Sequence, residues 1–182
     1  MKSIKTLAEQ PASIPVVADD VLEFHAARLL MLFRICGTGG RIDGLTKMAK
    51  LDFFVRYPQF FDELCKSLGE TVESHVSSVE SSMVRFHYGP WDKRYYQVLG
   101  YLESKRLITI GKTGNSYQFS LTDSGKGIAK KLESDPAFAG LSEQMKRVKR
   151  VLGGKAGSSI KTMIYRIFDE EIAKRSLGEV IR

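Results

Sequence analysis

The tightest constraint in this chain is the order of apolar positions across 91–132. Tyr95, Val98, Leu99 and Leu102 recur at helical spacing, so one face of a 92–105 helix is apolar. Leu107, Ile108 and Ile110 follow as a short strand ending at Gly111, and Lys112-Thr113-Gly114-Asn115-Ser116 supply turn formers. Tyr117, Phe119 and Leu121 then alternate with polar residues as a second strand. Thr122 or Asp123 stands where a side-chain oxygen can accept from the unpaired first-turn amides of a helix over 124–133. Helix, strand, turn, strand, helix at this spacing is the pattern of a winged helix-turn-helix. The expected fold class is therefore α+β and mostly helical, a winged helix-turn-helix with an inserted segment and a C-terminal helical hairpin. Such a fold serves mainly to grip nucleic acid or to dock on a larger machine.

At 182 residues the chain can bury one core plus a helical appendage. Its 43% hydrophobic and 27% charged content is that of an ordinary globular protein. The longest apolar run, 29–33, is bounded by Arg28 and Arg34 and falls far short of the ~20 residues that cross a bilayer. Residues 1–10 have no apolar stretch of the signal-peptide kind. Cys36 and Cys65 are too few and too scattered for a disulfide framework or a zinc site. A reducing cytoplasm is the expected compartment. The net charge of +7 favours anionic partners.

Three regions emerge along the chain: a flexible arm over 1–18, a winged-helix domain over 19–135 with an inserted segment at 58–84, and a helical extension over 136–182. Asp19-Asp20 is positioned to cap a helix over 21–36, with Val21, Phe24, Leu29, Leu32 and Phe33 as its core candidates. Arg41-Ile42 reads as an edge strand and Asp43 as the cap of a helix over 44–57, whose Leu45, Met48, Leu51, Phe54 and Val55 share a face. Pro58 closes that helix and a third begins at Gln59-Phe60-Phe61. The serine-rich 69–82 reads as a loop and 83–88 as a strand, which Gly89-Pro90 ends so that Trp91-Asp92 can open the next helix. Helices over 141–152 and 158–174, divided by the glycines of 153–157, complete the chain as a hairpin.

Two constellations suggest binding. In a DNA-reading winged helix the exposed side of the 92–105 helix enters the major groove and the wing touches phosphate. Here that side offers Lys93, Arg94 and Gln97, with Lys112 and Asn115 in the wing, and Gln97 is the only good base-edge reader. The second is the run Lys146, Arg147, Lys149, Arg150, Lys155 and Lys161, which no Asp or Glu interrupts between Glu143 and Asp169. Such a block suits the backbone of double-stranded DNA, with each phosphate contact adding salt-sensitive affinity, or an acidic protein surface. Trp91, Tyr95 and Tyr165 are the candidate partner-binding residues, being large apolar bodies with polar tips.

Catalytic signals are weak. His25, His75 and His87 lie far apart in sequence with no metal-ligand spacing, and no Ser or Cys sits in a nucleophile context. Gly153-Gly154-Lys155-Ala156-Gly157-Ser158-Ser159 lacks the Gly-Lys-Ser/Thr order of a phosphate loop and has no strand before it. The expectation is a non-enzyme without cofactor or metal.

Leu45-Thr46-Lys47-Met48-Ala49-Lys50-Leu51-Asp52-Phe53-Phe54-Val55-Arg56-Tyr57-Pro58 resembles the opening signature of the middle components of bacterial ABC three-component and Lamassu-type defence systems. Arg85-Phe86-His87-Tyr88-Gly89-Pro90-Trp91-Asp92 is similar to that group's Tyr-Gly-Pro element, and Leu121-Thr122-Asp123-Ser124-Gly125 to its wing-to-helix junction. Ile160-Lys161-Thr162-Met163-Ile164-Tyr165 and Leu177-Gly178-Glu179-Val180-Ile181 also look alike. The elements keep their order over residues 20–181. The resemblance implies a small accessory subunit beside an SMC- or Rad50-like ATPase and a separate effector in anti-phage or anti-plasmid defence, bridging ATPase and DNA. The alternative from the residues alone is a stand-alone transcription regulator that reads an operator with the 92–105 helix.

Overall fold

The computed structural model describes residues 21–71, 83–86 and 89–168, and within 84–89 the backbone alone. The expected arm over 1–18, the Asp19-Asp20 cap, most of the serine-rich stretch, His75, His87 and everything after 168 lie outside those residues.

Two helices form the centre. α1 (Leu22–Cys36) buries Leu29, Met31, Leu32 and Phe33 completely, while Val21 and Phe24 at its start are only half-buried. α2 (Leu45–Arg56) is preceded by the short edge strand β1 (Arg41–Asp43). Asp43 does not cap it. The N-cap is Gly44, which makes no side-chain cap bond, and the Asp43 carboxylate pairs with Arg41 at 3.1 Å in solvent. α2 also departs from the single apolar face read from its spacing, because every residue from Met48 to Arg56 is buried. Neighbours on all sides account for this: α1, α3 (Pro58–Leu68), and two later helices all lie against it. Pro58 opens α3, where its missing N–H is no loss, and Gly69 ends it with φ at +72°. Phe53, Tyr57 and Phe60 join across the α2–α3 corner with ring centroids 5.1–5.8 Å apart.

β2 (Val84–Phe86) and β3 (Gly89–Trp91) pair antiparallel as a two-stranded hairpin. Gly89-Pro90 therefore continues as a strand, and Trp91 belongs to it rather than to the following helix. α4 (Tyr95–Ser104) starts three residues later than the sequence pattern placed it. It leads into β4 (Ile108–Thr113) and β5 (Ser116–Leu121), joined by a tight turn at Gly114-Asn115 with Gly114 at φ +58°. β4 thus runs past Gly111, its expected end. The three longer-range strands form an antiparallel sheet in the order β1-β5-β4, with Phe119 stacked 6.0 Å from Phe33 of α1.

α5 (Asp123–Ser134) is capped as expected: Thr122 Oγ1 accepts from the Gly125 amide at 3.0 Å. A one-turn 3-10 helix (Pro136–Phe138) then leads to α6 (Ala139–Leu152) and α7 (Gly157–Ile167). These last two do not close on each other as the expected hairpin. α6 lies over α1 and α2, while α7 lies over α2 and α3, and Phe168 meets Phe60 at 5.0 Å. The described molecule is thus α+β, mostly helical, with a small antiparallel sheet on one side.

Candidate functional site

The outward face of α4 and the inner side of β4–β5 together form the most distinctive surface. Tyr95, Val98, Leu99 and Leu102 turn into the core, as their spacing predicted. Tyr96, Gln97 and Gly100 remain exposed, and Tyr96 retains 68% of its surface. Across from it Tyr117 is 46% exposed and stacks on Phe119 at 6.4 Å. Between them lies a groove of about 210 Å³ lined by Leu45, Tyr96, Leu99, Gly100, Ile110, Tyr117 and Phe119. Apart from two tyrosine hydroxyls, no side chain in this lining can form a hydrogen bond. Lys112 holds its ammonium 5.9 Å from the Tyr117 ring, and the half-buried Trp91 meets Tyr96 at 5.9 Å. Lys93, just before α4, and Asn115, in the β4–β5 turn, are exposed.

Behind α4 lies a buried ionic network that the sequence pattern did not reveal. Arg28 Nε donates to Asp52 Oδ1 at 3.0 Å, and the Tyr95 hydroxyl donates to Asp52 Oδ2 at 2.7 Å. Arg56 Nη1 reaches Asp92 Oδ2 at 2.7 Å, while Arg94 donates to the same carboxylate from Nε and Nη2, both at 2.9 Å. The Arg94 amide also donates to Asp92 Oδ1 at 2.9 Å, which fixes the turn into α4. Burial alone would push the Asp92 carboxyl up, but the hydrogen bonds from Arg94 and the charge of Arg56 hold it well below the usual carboxylate range. His25 sits between two guanidiniums, its Nδ1 2.9 Å from Arg28 Nη1 and its Nε2 2.9 Å from Arg94 Nη1. A neutral imidazole can accept at only one of those nitrogens. The network ties α1, α2 and the β3–α4 turn into one block.

A signal for it was present in the sequence. Arg28 interrupts the apolar stretch 26–33, and Asp52 and Arg56 stand at i and i+4 among the apolar residues of α2. Charges inside an apolar run are either solvated or paired, and here they are paired. Lys50 belongs to the same helix and is also buried; its ammonium donates to the Pro90 carbonyl at 3.0 Å. Burial, reinforced by the Lys161 charge, pushes Lys50 down to about 7.

The predicted site residues scatter. Lys93, Gln97, Lys112 and Asn115 are exposed around α4 and the β4–β5 hairpin, whereas Arg94 is committed to Asp92 and His25. Tyr95 is 1% exposed with its hydroxyl on Asp52, so it cannot be a partner-facing residue. The basic run of the C-terminal third breaks up for a geometric reason: Lys146 and Arg150, one turn apart on α6, face solvent, while Arg147 and Lys149 are taken up by contacts within the fold. Arg147 is buried, donates to Asp62 at 2.7 Å and lies 5.3 Å from the Phe61 ring. Lys149 closes the end of α1, donating to the carbonyls of Cys36 and Gly37 at 3.0 and 2.8 Å. Lys146 and Arg150 are exposed, and Lys146 lies 3.4 Å from Glu133. Lys155 is half-buried, as are Lys161 and Tyr165, which meet at 5.8 Å between ammonium and ring.

Among the described residues no group of three or more His, Cys, Asp or Glu side chains could hold a metal ion, and no helix is long and apolar enough to cross a membrane. Burial pushes the Cys36 thiol up to about 12, and it is held against the Met145 carbonyl. Comparison with protein-family models, curated proteins and solved structures gave no match.

Proposed function

We propose that this chain is a winged-helix accessory subunit with no chemistry of its own, which docks on an SMC- or Rad50-like ATPase in a bacterial anti-phage or anti-plasmid defence complex. The winged-helix reading is supported by the order α1, β1, α2, α4, β4, β5, α5 with the first strand beside the last, β1-β5-β4. In it α4 is the recognition helix, β4–β5 is the wing, and α3 with the β2–β3 hairpin is inserted between α2 and α4. The ATPase and the defence role are supported by the resemblance of the motifs in α2, the β5–α5 junction and α7.

The observation that carries the docking role is the makeup of the α4 face. Two exposed tyrosines flank an apolar groove there, while Gln97 is the only side chain suited to a base edge. Aromatic anchors around an apolar centre are the composition of a protein interface.

A stand-alone DNA-binding regulator is the second reading, favoured by the exposure of Lys93, Gln97, Lys112 and Asn115. Co-expression with the products of its neighbouring genes, followed by size-exclusion chromatography, separates the two. Co-elution that is lost in a Tyr96→Ala/Tyr117→Ala double variant, and kept in Lys93→Glu/Lys112→Glu, is the expected result. Separate elution together with a sequence-selected duplex that binds a dimer of this chain would overturn the docking role and establish the regulator.

A further inference from the structure

Gly100 is the unusual residue of the α4 face. It stands in the interior of a helix, where glycine costs about 1 kcal/mol relative to alanine. No positive φ requires it, and a Cβ built on it would meet nothing within 4 Å. Core packing therefore does not explain it. What it does is leave open the groove between Tyr96 and Tyr117, of which it forms part of the wall.

The exposed charges on the segment that forms most of the groove are mostly basic, and the neighbouring strand β1 adds Arg41 and Asp43, which pair with each other at 3.1 Å. Over 93–121 the exposed ionic side chains are Lys93, Lys105, Arg106 and Lys112 against Glu103 alone. Arg94, the remaining cation of that stretch, is held by Asp92. The groove thus combines a small apolar centre, an aromatic rim and a basic surround. A nucleic-acid backbone would satisfy the surround and leave the apolar centre unused. A protein segment with a large apolar side chain set among carboxylates satisfies both.

We infer that the groove between α4 and the β4–β5 hairpin binds an acidic segment of a partner protein by taking in one Phe or Leu side chain. This rests on reading the face as a protein-docking surface and names the chemistry of what docks. The anchor stacks against Tyr96 and Tyr117 over Ile110 and Leu99, and the flanking carboxylates face Lys93 and Lys112. Burying such a side chain contributes roughly 1.5–3 kcal/mol, or about a 10- to 100-fold change in affinity.

The test uses the full chain and a fluorescent 12-residue peptide of Asp and Glu with one central Phe, read by anisotropy. The controls are the same peptide with Ala for Phe, its Lys counterpart with Phe kept, and a 20-base-pair duplex. The acidic Phe peptide should bind, and both Phe→Ala in the peptide and Gly100→Leu in the protein should weaken it at least 10-fold. Gly100→Ala serves as the folded reference for the helix, and Tyr117→Ser as a second variant that opens the rim without adding bulk. Amide shifts on peptide addition should concentrate at Tyr96, Gly100, Ile110 and Tyr117. Equal binding of the Ala or Lys peptide, or full binding by both Gly100→Leu and Tyr117→Ser, would overturn the inference. So would a duplex that binds at these same amides while the acidic peptide does not. Because no ATPase enters this experiment, ATPase capture without peptide binding sinks only the anchor chemistry. Peptide binding without ATPase capture sinks only the choice of partner.

Discussion

Lys50 and Asp92 show how the same burial acts on charges with and without a counter-ion. The Lys50 ammonium has a carbonyl for company and another lysine nearby, and it is pushed from 10.5 to about 7. The unfolded chain therefore binds more protons than the folded one between about pH 7 and 10.5, so the contribution of Lys50 to stability rises with pH across that window. Below pH 7 its penalty is complete. Lys50→Met should raise stability at pH 6 and flatten the slope from pH 7 to 10, measured by urea unfolding at a series of pH values. Asp92 is the reverse case, since Arg56 and Arg94 hold its carboxyl below the ordinary 3.8. Its contribution is full above that value and is lost as the pH falls below it. Asp92→Asn leaves Arg56 and Arg94 without their carboxylate, and at neutral pH should cost about 3–5 kcal/mol, read from denaturant midpoints.

Elements were legible wherever periodicity and turn chemistry agreed. The helix from Asp123, its Thr122 cap, β5 and the break between α2 and α3 at Pro58 all follow from such local rules. Local spacing does not report what lies on the far side of an element, and turn-forming residues do not always make a turn. The spacing of α2 gives it one apolar face, yet four helices cover it and bury its charged residues as well. The β2–β3 hairpin was missed because Gly89-Pro90 was read only as a turn. Glycine identity carried information that periodicity did not, as two positions illustrate. In α5 a Cβ on Gly125 would stand 1.9 Å from the Leu107 carbonyl oxygen. Gly125→Ala should therefore push α5 off the strand below it and cost about 3 kcal/mol or more. Gly100→Ala, with open space around it, should instead stabilise by about 0.5–1 kcal/mol. Thermal melting of the two variants beside the parent checks both signs at once.

At the scale of the whole molecule, net charge proved a poor guide to where charge is available. Half of the candidate basic residues on α6 serve the fold, because a helix carrying cations at successive positions must turn some of them inward. Lys146→Glu/Arg150→Glu should melt within a few degrees of the parent, whereas Arg147→Glu, which sets a carboxylate beside Asp62 in the interior, should fail to give a cooperative melt by circular dichroism. Part of the candidate site was legible: Lys93, Gln97, Lys112 and Asn115 are exposed, as side chains read as solvent-facing should be, while the tyrosine-rimmed groove needed the third dimension. The ionic block behind α4 has a further consequence, in how the protein meets heat. Hydration of charged groups becomes less favourable as water warms, so the desolvation of Arg28, Asp52, Arg56 and Asp92 grows less costly with temperature. The bolt that holds α4 in place is thus relatively firmer in a warm cell than on the bench.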